Sequence, residues 1–451
     1  MSNPLEHIVL DFMQMQEFAR DPFVIDHGEG IRVTDSQGKR YIDGLSGVFV
    51  ASLGYGNRAV IDAMTEQLQR LHFALPLHAT TPPALALAEE IRSHWAPESL
   101  GTVKLLSGGS EATEAAMKLA RQYHAQAGHP RKYKIISKYG GYHGATMGAL
   151  SASGGWERKS VFEPLGTGFL HVHPPYCYRC PFDQQYGSCA ITCAKLIERT
   201  IGAEDPETVA AVIMEPVSVS SAGYVVPPPE FFAILRETCD RHNVLLIFDE
   251  IITGFGRLGR NFGADHYGVV PDLLCCGKGM SGGYAPLAAV LIADRIQEAF
   301  LGAAEERREF HHGHTFGGNP VAAAAGLAAL REMRDNDLVR NAAQQGAYLR
   351  ERLEKIAERS CIIGEVRGAG LLQGFELVRD HRTGEPFAGE QPGKVFDRLA
   401  RERGLLLRCG SEFVVFAPPL IVSRADIDEM CAITEECLAL VQRELRGGLS
   451  R

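Results

Sequence analysis

The chain has 451 residues, more than one ordinary hydrophobic core accommodates, so we expect two domains or one large and one small domain. Its 45% hydrophobic and 22% charged residues are typical of a globular protein, and its net charge of −9 gives no reason to expect nucleic acid or an anionic membrane as a partner. No apolar run reaches membrane-spanning length and no secretory signal pattern is evident, so a cytoplasmic enzyme is expected.

The first thirty residues predict an arm and a loop, and GIRVTDSQGKRYIDGLSG predicts short strands around a turn at Ser36 to Gly38. The glycine-punctuated segment VFVASLGYGN, which contains Phe49, is typical of a loop that lines a site. Helical periodicity begins near Arg58. A second helix is expected to begin after Thr81, with two prolines in its first turn.

A short predicted strand from Val103 to Leu106 leads into the helical sequence SGGSEATEAAMKLARQYHAQ. Ser110 is the expected N-cap of this helix. The glycines allow close backbone approach, and a helix N-terminus offers free N–H groups and the positive end of its dipole, so Gly109 and Ser110 indicate a phosphate-binding cup. A capped turn without a ligand is the alternative for this motif taken by itself.

The next predicted strand, Tyr133 to Ser137, precedes the loop KYGGYHGATMG, in which Tyr142 and His143 lie between glycines. An aromatic ring in such a loop is exposed unless something stacks on it, although packing within the turn is an alternative for Tyr142. A further apolar strand ends at Glu215 and Pro216, and a helix from Glu230 to His242 is predicted after it.

Eleven cysteines, several within apolar runs, indicate reduced thiols rather than a disulfide framework. Four of them stand apart in PPYCYRCPFDQQYGSCAITCAK, namely Cys177, Cys180, Cys189 and Cys193. Two close pairs separated by a short loop can hold a structural zinc ion. The second pair, however, has the spacing of a helix start, so we favour a cysteine-rich surface insertion and assign no metal ligands.

The segment from Val244 to Gly283 carries the two charged residues on which the functional prediction mainly depends. Its two apolar runs, Val244 to Phe248 and Leu273 to Cys276, predict strands of a parallel sheet buried on both faces. Each run is followed by a charged residue, Asp249 and Lys278, at the edge of the sheet where ligands bind in α/β proteins. Pyridoxal phosphate needs a lysine for a Schiff base and an aspartate for its pyridine nitrogen. An ordinary buried ion pair is the alternative.

Strand and helix patterns alternate from about residue 100 to 300, which predicts βαβ units. Within them Gly254, Gly256 and Gly259 match a dinucleotide-binding pattern, but acidic residues lie just upstream and no apolar helix follows, so we reject that interpretation. Thr315 lies in a glycine loop before an alanine-rich helix and is a possible phosphate contact. Three nearby histidines have no evident acidic partner, which argues against a metal site there; they are His311, His312 and His314.

The C-terminal part, from Leu338, alternates helices with short strands and predicts a separate small domain, in which Arg408 ends one strand. We therefore expect an N-terminal arm that joins the small domain (1–60), a large domain (61–325) and a C-terminal small domain (326–451). The expected class is α/β, with a mainly parallel central sheet flanked by helices and a small α+β domain built from both termini.

Six segments together resemble the class III aminotransferases, the ω-aminotransferase group of fold-type I pyridoxal phosphate enzymes. They occur in the family's order and spacing across about two hundred residues: SGGSEATEAAMKLAR, YGGYHG, Glu215-Pro216, FDEIITGFGRLGR, CGKGMSGG and HTFGGNP. The N- and C-terminal parts fit more loosely.

The resemblance implies a role for each candidate site residue. Lys278 would bind the cofactor and shuttle the proton, and Asp249 would pair with the ring nitrogen. Tyr142 and Ile251 would lie on opposite faces of the ring, with His143 also among the cofactor-binding residues. Glu215 would support the site. The resemblance further implies that Gly109 and Ser110 bind the phosphate, and that Thr315 reaches the phosphate of the neighbouring subunit, so that a homodimer is expected.

For the substrate, the resemblance points to amines or ω-amino acids with a keto acid acceptor, in a ping-pong reaction. In the amine:pyruvate branch an arginine at the position of Arg408 binds a substrate carboxylate, and Phe49 replaces a pocket-lining tryptophan. HTFGGNP is more similar to the ornithine-type version, so pyruvate and 2-oxoglutarate are both open as acceptors. Decarboxylation or aminomutase chemistry with the same cofactor is the alternative, although Val48 replaces the glutamine of the decarboxylating branch.

Overall fold

The computed structural model describes residues 4–220 and 223–447. The strands are, in chain order, β1 (Ile25–Glu29), β2 (Arg32–Asp35), β3 (Arg40–Asp43), β4 (Thr102–Leu106), β5 (Lys134–Lys138), β6 (Phe169–Val172), β7 (Val209–Met214), β8 (Ser218–Ser220), β9 (Gly223–Val225), β10 (Leu245–Asp249), β11 (Leu273–Cys276), β12 (Ala288–Ile292), β13 (Ile363–Ala369), β14 (Leu372–Leu377), β15 (Leu405–Leu406), β16 (Arg408–Cys409) and β17 (Phe413–Phe416).

The α-helices are, in chain order, α1 (Met15–Phe18), α2 (Ser46–Phe49), α3 (Arg58–Arg70), α4 (Pro82–His94), α5 (Gly109–Gln126), α6 (Met147–Ala152), α7 (Trp156–Lys159), α8 (Thr192–Ala203), α9 (Phe231–Arg241), α10 (Gly263–Tyr267), α11 (Asp294–Glu298), α12 (Pro320–Asp335), α13 (Leu338–Glu358), α14 (Pro392–Glu402) and α15 (Arg424–Gly447). Short 3₁₀ turns occur at Pro4–His7, Ser160–Phe162, Pro206–Thr208, Lys278–Ser281 and Ala304–Glu306.

A seven-stranded sheet with the order β4-β12-β11-β10-β7-β5-β6 forms the centre of the protein. All its strands are parallel except β12, which runs antiparallel to both neighbours. Every residue of β7, β10, β11 and β12 is buried, because helices cover both faces of the sheet. Apolar side chains therefore occupy both faces of these strands. The predicted, mainly parallel sheet is confirmed.

The helices around the sheet begin where the sequence predicts starting signals. Asn57 Oδ1 accepts a hydrogen bond of 3.2 Å from the Val60 N–H at the start of α3, and prolines occupy the first turn of α4. Asn319 Oδ1 accepts bonds of 3.0 Å from the first N–H groups of α12, which packs against both α3 and α4. None of the described helices is long and apolar enough to cross a membrane.

Two smaller sheets combine the ends of the chain. The sheet β1-β2-β3-β15 joins N-terminal strands to β15 through a parallel pairing of Leu405 with Ile42, and the sheet β13-β14-β17-β16 carries Arg408. The expected α+β part built from both termini is therefore present. The domain bounds stay a prediction, and α12 continues across the expected boundary at residue 326.

Several predicted element bounds differ from the structure by one residue. Strand β10 includes Asp249, and β5 extends to Lys138, so both charged side chains end their strands instead of following them.

The expected arm of thirty residues contains strand β1, which pairs with β2 although its polar sequence, IDHGE, has no apolar alternation. The segment around Gly256 and Gly259 forms turns and lacks the strand–turn–helix geometry of a dinucleotide site.

Candidate active site

Asp249 and Lys278 lie at the carboxyl edge of two adjacent parallel strands. Asp249 is the last residue of β10 and pairs in register with Cys275 of β11, and Lys278 follows β11 after Gly277. Lys278 adopts a left-handed φ of 44°, which is strained for a residue with a side chain. The strand ends thus bring together the acid and the amine that the sequence predicts for one ligand.

The amine of Lys278 is poised to lose its proton. Burial lowers its pKa, the nearby Asp249 carboxylate raises it, and the cation of Arg408 lowers it again, so that the pKa falls from 10.5 to about 8. Its Nζ lies 5.9 Å from the ring centroid of Phe49. A neutral amine is a nucleophile and a proton acceptor, whereas an ammonium is neither.

His143 fixes the orientation of Asp249 from the side. Its Nδ1 lies 2.8 Å from Asp249 Oδ2, and both side chains are buried. Because an ionised carboxylate only accepts hydrogen bonds, Nδ1 carries the proton in this pair. The other oxygen of Asp249 accepts a bond of 3.2 Å from the Ile251 N–H. Asp249 is therefore held in place and presents its charge within the pocket.

A second buried carboxylate, Glu215, holds the Tyr142 loop. Glu215 Oε1 accepts a hydrogen bond of 3.0 Å from the Tyr142 N–H, while Oε2 accepts a short bond from Lys138 Nζ and lies 3.8 Å from His143 Nε2. Burial raises the pKa of Glu215, but the charges of Lys138 and His143 outweigh it and bring the pKa to about 2. Sequence reasoning missed Lys138, although it ends an apolar strand as Asp249 does.

The strand-to-helix turn after β4 has the features of an anion cup. Helix α5 begins at Gly109 with Gly108 as its N-cap, so the prediction of Ser110 as the N-cap is wrong; the Ser110 hydroxyl instead accepts a bond of 3.0 Å from the Ala145 N–H. A Cβ on Gly109 would lie 3.2 Å from Ile251, so a side chain there would crowd the pocket. The buried hydroxyl of Ser107 has no hydrogen-bond partner among the described residues.

Phe49 closes another side of the site. It is buried and adopts a left-handed φ of 63°. Ser46, three residues earlier, also has a left-handed φ, of 53°. Ser46 Oγ donates to the Ala417 carbonyl at 2.6 Å and accepts from the buried Arg257 at 3.2 Å. Backbone strain held by such contacts concentrates at functional sites, and here it aims the Phe49 ring at Lys278.

Arg408 reaches the same pocket from β16 of the small sheet. Its charge acts on Lys278, and its own pKa is affected by Tyr142, Tyr224 and Arg158, so these groups lie within electrostatic reach of Arg408. Burial, followed by the charge of Arg158, lowers the pKa of Arg408. Among the residues that the structure describes, no carboxylate pairs with its guanidinium.

Thr315 lines a separate cavity of the chain. It is exposed, and the cavity, of about 340 Å³, is also lined by Thr81, Lys104 and Asn319. Neither Lys278 nor Asp249 lines this cavity. The expected role of Thr315 toward a second copy stays a prediction from the sequence.

The cysteine and histidine clusters are not arranged as metal sites. The four cysteines from Cys177 to Cys193 are free and line one small cavity, and Cys193 lies in the first turn of α8, as its spacing predicts. Across 4–220 and 223–447, no group of three histidine, cysteine or acidic side chains could hold a metal ion. The expectation that the three histidines have no acidic partner is wrong for two of them: His314 Nε2 lies 2.8 Å from Glu111, and His311 Nε2 lies 4.0 Å from Glu309.

The residues of the pocket fit a ligand with a phosphate, a basic ring nitrogen and a carbonyl group. The cup at Gly109, with the unpartnered Ser107 hydroxyl, suits the phosphate, since a helix N-terminus binds anions. Asp249 suits a protonated ring nitrogen, and the amine of Lys278 suits the carbonyl carbon.

Comparisons with known proteins agree with this chemistry. A family model described as aminotransferase class-III matches residues 15–438. YhxA of Bacillus subtilis strain 168, an uncharacterized aminotransferase, is 39% identical over 92% of either chain. An adenosylmethionine-8-amino-7-oxononanoate aminotransferase of Geobacter sulfurreducens is 37% identical over 94% of this chain and 93% of its own. A solved structure, a thermostable (S)-enantioselective omega-transaminase from Thermomicrobium roseum, has a TM-score of 0.91 and 36% identity, with 97% of each chain covered.

Proposed function

The chain belongs to the class III aminotransferases, which depend on pyridoxal phosphate, and we propose that it transfers an amino group from an ω-amino acid or amine to a keto acid by a ping-pong mechanism. The observation that carries this proposal is the pocket of Lys278, where burial lowers the pKa of the amine to about 8 and where Asp249 and Arg408 both act on it electrostatically. Among the described residues, no carboxylate pairs with Arg408.

Lys278 has two proposed roles in the pocket. Pyridoxal phosphate, when bound, supplies a carbonyl group that links to an amine and a ring that withdraws electrons from the neighbouring carbon. Lys278 would provide the amine that holds the cofactor and, as a free amine, would move a proton at the substrate carbon that bears the amino group. Its lowered pKa leaves a useful fraction of the amine neutral near pH 8.

Asp249 keeps a ring nitrogen protonated, since its buried negative charge is fixed by His143 and by the Ile251 N–H. Tyr142 and Ile251 would enclose the ring, and Gly109 and Ser110 would hold the phosphate at the start of α5. Glu215 would position the Tyr142 loop through its bond to the Tyr142 N–H.

Arg408 and Phe49 would shape the substrate pocket. A guanidinium binds a carboxylate with two parallel hydrogen bonds, so an unpaired and half-buried arginine is suited to a keto acid. Both pyruvate and 2-oxoglutarate satisfy this requirement. Adenosylmethionine, which appears in the name of the Geobacter sulfurreducens relative, is a further amine to test as a donor.

The assembly is part of the same proposal. We expect a homodimer in which Thr315 of each subunit contributes to the phosphate site of the other, because Thr315 is exposed within its own chain. A cytoplasmic location also stays a prediction from the sequence.

Steady-state kinetics with varied donor and acceptor test the reaction class. Transamination by a ping-pong route gives parallel lines in double-reciprocal plots, with one keto product formed per amino product. Product that continues to form over many turnovers without an acceptor, or release of carbon dioxide in step with donor consumption, would instead indicate the aminomutase or decarboxylase alternative. A chain that lacks activity with β-alanine, taurine and 1-phenylethylamine but accepts adenosylmethionine would correct the donor class alone.

A further inference from the structure

The segment of chain before Thr315 is held along one side of helix α5 by side-chain hydrogen bonds. Residues 308–314 form neither helix nor strand, so their position depends on the contacts that they make with neighbouring elements. Four residues of α5 bind this segment at positions i, i+7, i+11 and i+15, which share one side of a helix: Glu111, Lys118, Gln122 and Gln126.

Two glutamines hold the first half of the segment near the C-terminal end of α5. Gln126 Nε2 donates to the Arg308 carbonyl at 2.8 Å. Gln122 makes two bonds, since its Nε2 donates to the Glu309 carbonyl at 2.8 Å and its Oε1 accepts from the His311 N–H at 3.1 Å. The segment therefore runs antiparallel to α5, toward the start of the helix.

Two charged residues hold the second half. Lys118 Nζ lies 3.0 Å from Nδ1 of His312, which accepts the bond because an ammonium only donates. Glu111 Oε1 lies 2.8 Å from Nε2 of His314, the last residue of the segment. The other oxygen of Glu111, Oε2, accepts a bond of 3.2 Å from the Ser107 N–H in the turn before α5. One carboxylate is thus fixed by the cup of its own chain and holds the end of the segment.

We propose that Glu111 is a positioning residue that, through His314, holds Thr315 where it reaches the phosphate of the neighbouring subunit's cofactor. The proposal rests on the proposed function, in which Thr315 serves the neighbouring site. A hydroxyl on a segment without secondary structure must be ordered before it binds, and the contact of Glu111 with His314 supplies that order in advance. The His314 side chain is only 17% exposed, so water competes weakly for this bond.

Binding of cofactor analogues that lack the aldehyde tests this contact apart from turnover. Full-length protein freed of its cofactor is titrated calorimetrically with pyridoxine phosphate and with pyridoxine. We expect Glu111→Ala to weaken pyridoxine phosphate roughly 10-fold, the effect of one hydrogen bond to a charged group, and to leave pyridoxine unchanged. Glu111→Gln keeps an acceptor for His314 and should lose less. Glu98→Gln removes an exposed carboxylate at the opposite end of β4 and should bind both as the wild type does.

Heterodimers purified through two different tags show on which subunit Glu111 acts. In a dimer of Glu111→Ala with Lys278→Ala, the one site that retains Lys278 receives Thr315 from the subunit with intact Glu111. Its half-saturation by pyridoxal phosphate should match that of a dimer of wild type with Lys278→Ala. In a dimer of wild type with the double variant Glu111→Ala/Lys278→Ala, the site that retains Lys278 receives Thr315 from the altered subunit, so half-saturation should need roughly 10-fold more cofactor.

The outcomes separate this role from the function on which it rests. Equal weakening of pyridoxine phosphate and pyridoxine, no weakening of either, or the opposite order of the two heterodimers would overturn the role of Glu111. A Thr315→Ala protein that binds pyridoxine phosphate as tightly as the wild type would overturn the shared phosphate site of the proposed function instead.

Discussion

His143 Nδ1 and Asp249 Oδ2 are 2.8 Å apart, and both side chains are buried. His143 belongs to a loop after β5 and Asp249 ends β10, so this single contact ties the aromatic loop to the strand that carries the central acid. The contact holds the carboxylate of Asp249 in one orientation, and it makes His143 a positioning residue.

Loss of the His143 donor should therefore slow the reaction without removing its chemistry. We expect His143→Leu to lower kcat/KM roughly 10- to 100-fold, the effect of about 1.5–3 kcal/mol for a hydrogen bond to a charged group. His143→Gln keeps a donor near Asp249 and should lose less. The measurement is kcat/KM for the half-reaction with an amine donor, and equal losses in both variants would contradict a hydrogen-bonding role.

The Glu215–Lys138 pair should be important for stability. Lys138 is 2% exposed, so Glu215→Gln leaves a buried ammonium without its counter-charge, which costs about 3–5 kcal/mol in the free energy of unfolding. Replacing both residues, as in Lys138→Met with Glu215→Leu, should recover part of that loss. Urea unfolding of the three proteins measures the difference, and a single variant as stable as the wild type would contradict the account.

The same pair predicts a pH dependence. Because folding lowers the pKa of Glu215 from 4.5 to about 2, its contribution to stability is complete above pH 4.5 and is lost as the pH falls toward 2. The difference in unfolding free energy between wild type and Glu215→Gln should therefore shrink over that interval. A difference that is independent of pH there would show that Glu215 titrates normally.

The lowered pKa of Lys278 should govern how fast the apoprotein takes up its cofactor. Only the neutral amine attacks a carbonyl, and its fraction rises as the pH increases through about 8. We expect the rate of cofactor incorporation to rise with pH to a plateau above that value, as followed by stopped-flow absorbance. A midpoint near 10.5, the ordinary value for lysine, would mean that the pocket does not desolvate the amine.

Complementation between two inactive subunits tests the shared site. If Thr315 serves the neighbouring subunit, a mixture of Thr315→Asp and Lys278→Ala proteins forms heterodimers with one intact site, which combines Lys278 of one subunit with Thr315 of the other. Unfolding and refolding the mixture should then restore roughly a quarter of wild-type activity, given random pairing and one active site in each heterodimer. If Thr315 serves its own chain, no heterodimer has an intact site and activity stays absent.

Much of this site is predictable because strand ends are visible in a sequence. The apolar runs that become β10 and β11 are each followed by a charge, and parallel strands bring such ends to one edge, so the sequence alone pairs Asp249 with Lys278. Lys138 at the end of β5 carries the same signal, which makes it a further residue that the strand-end pattern can find.

Other features depend on tertiary packing that no local pattern encodes. Ser110 is a good N-cap residue and therefore predicts a later start for α5, yet the backbone turns into the helix at Gly109, where a Cβ would lie only 3.2 Å from Ile251. Arg158 belongs to a four-residue helix with no periodicity, and its place beside Tyr142 follows from the close approach of Gly154 to β5.

The visible absorption of the purified protein tests the central claim most directly. Wild-type protein incubated with pyridoxal phosphate should be yellow, should bleach when an amine donor is added alone, and should recover its colour with pyruvate or 2-oxoglutarate. Lys278→Ala should fail to complete this cycle, while Lys159→Gln should behave as wild type. A wild-type protein that stays colourless after incubation with the cofactor, or a Lys278→Ala protein that completes the cycle, would contradict the assignment of Lys278.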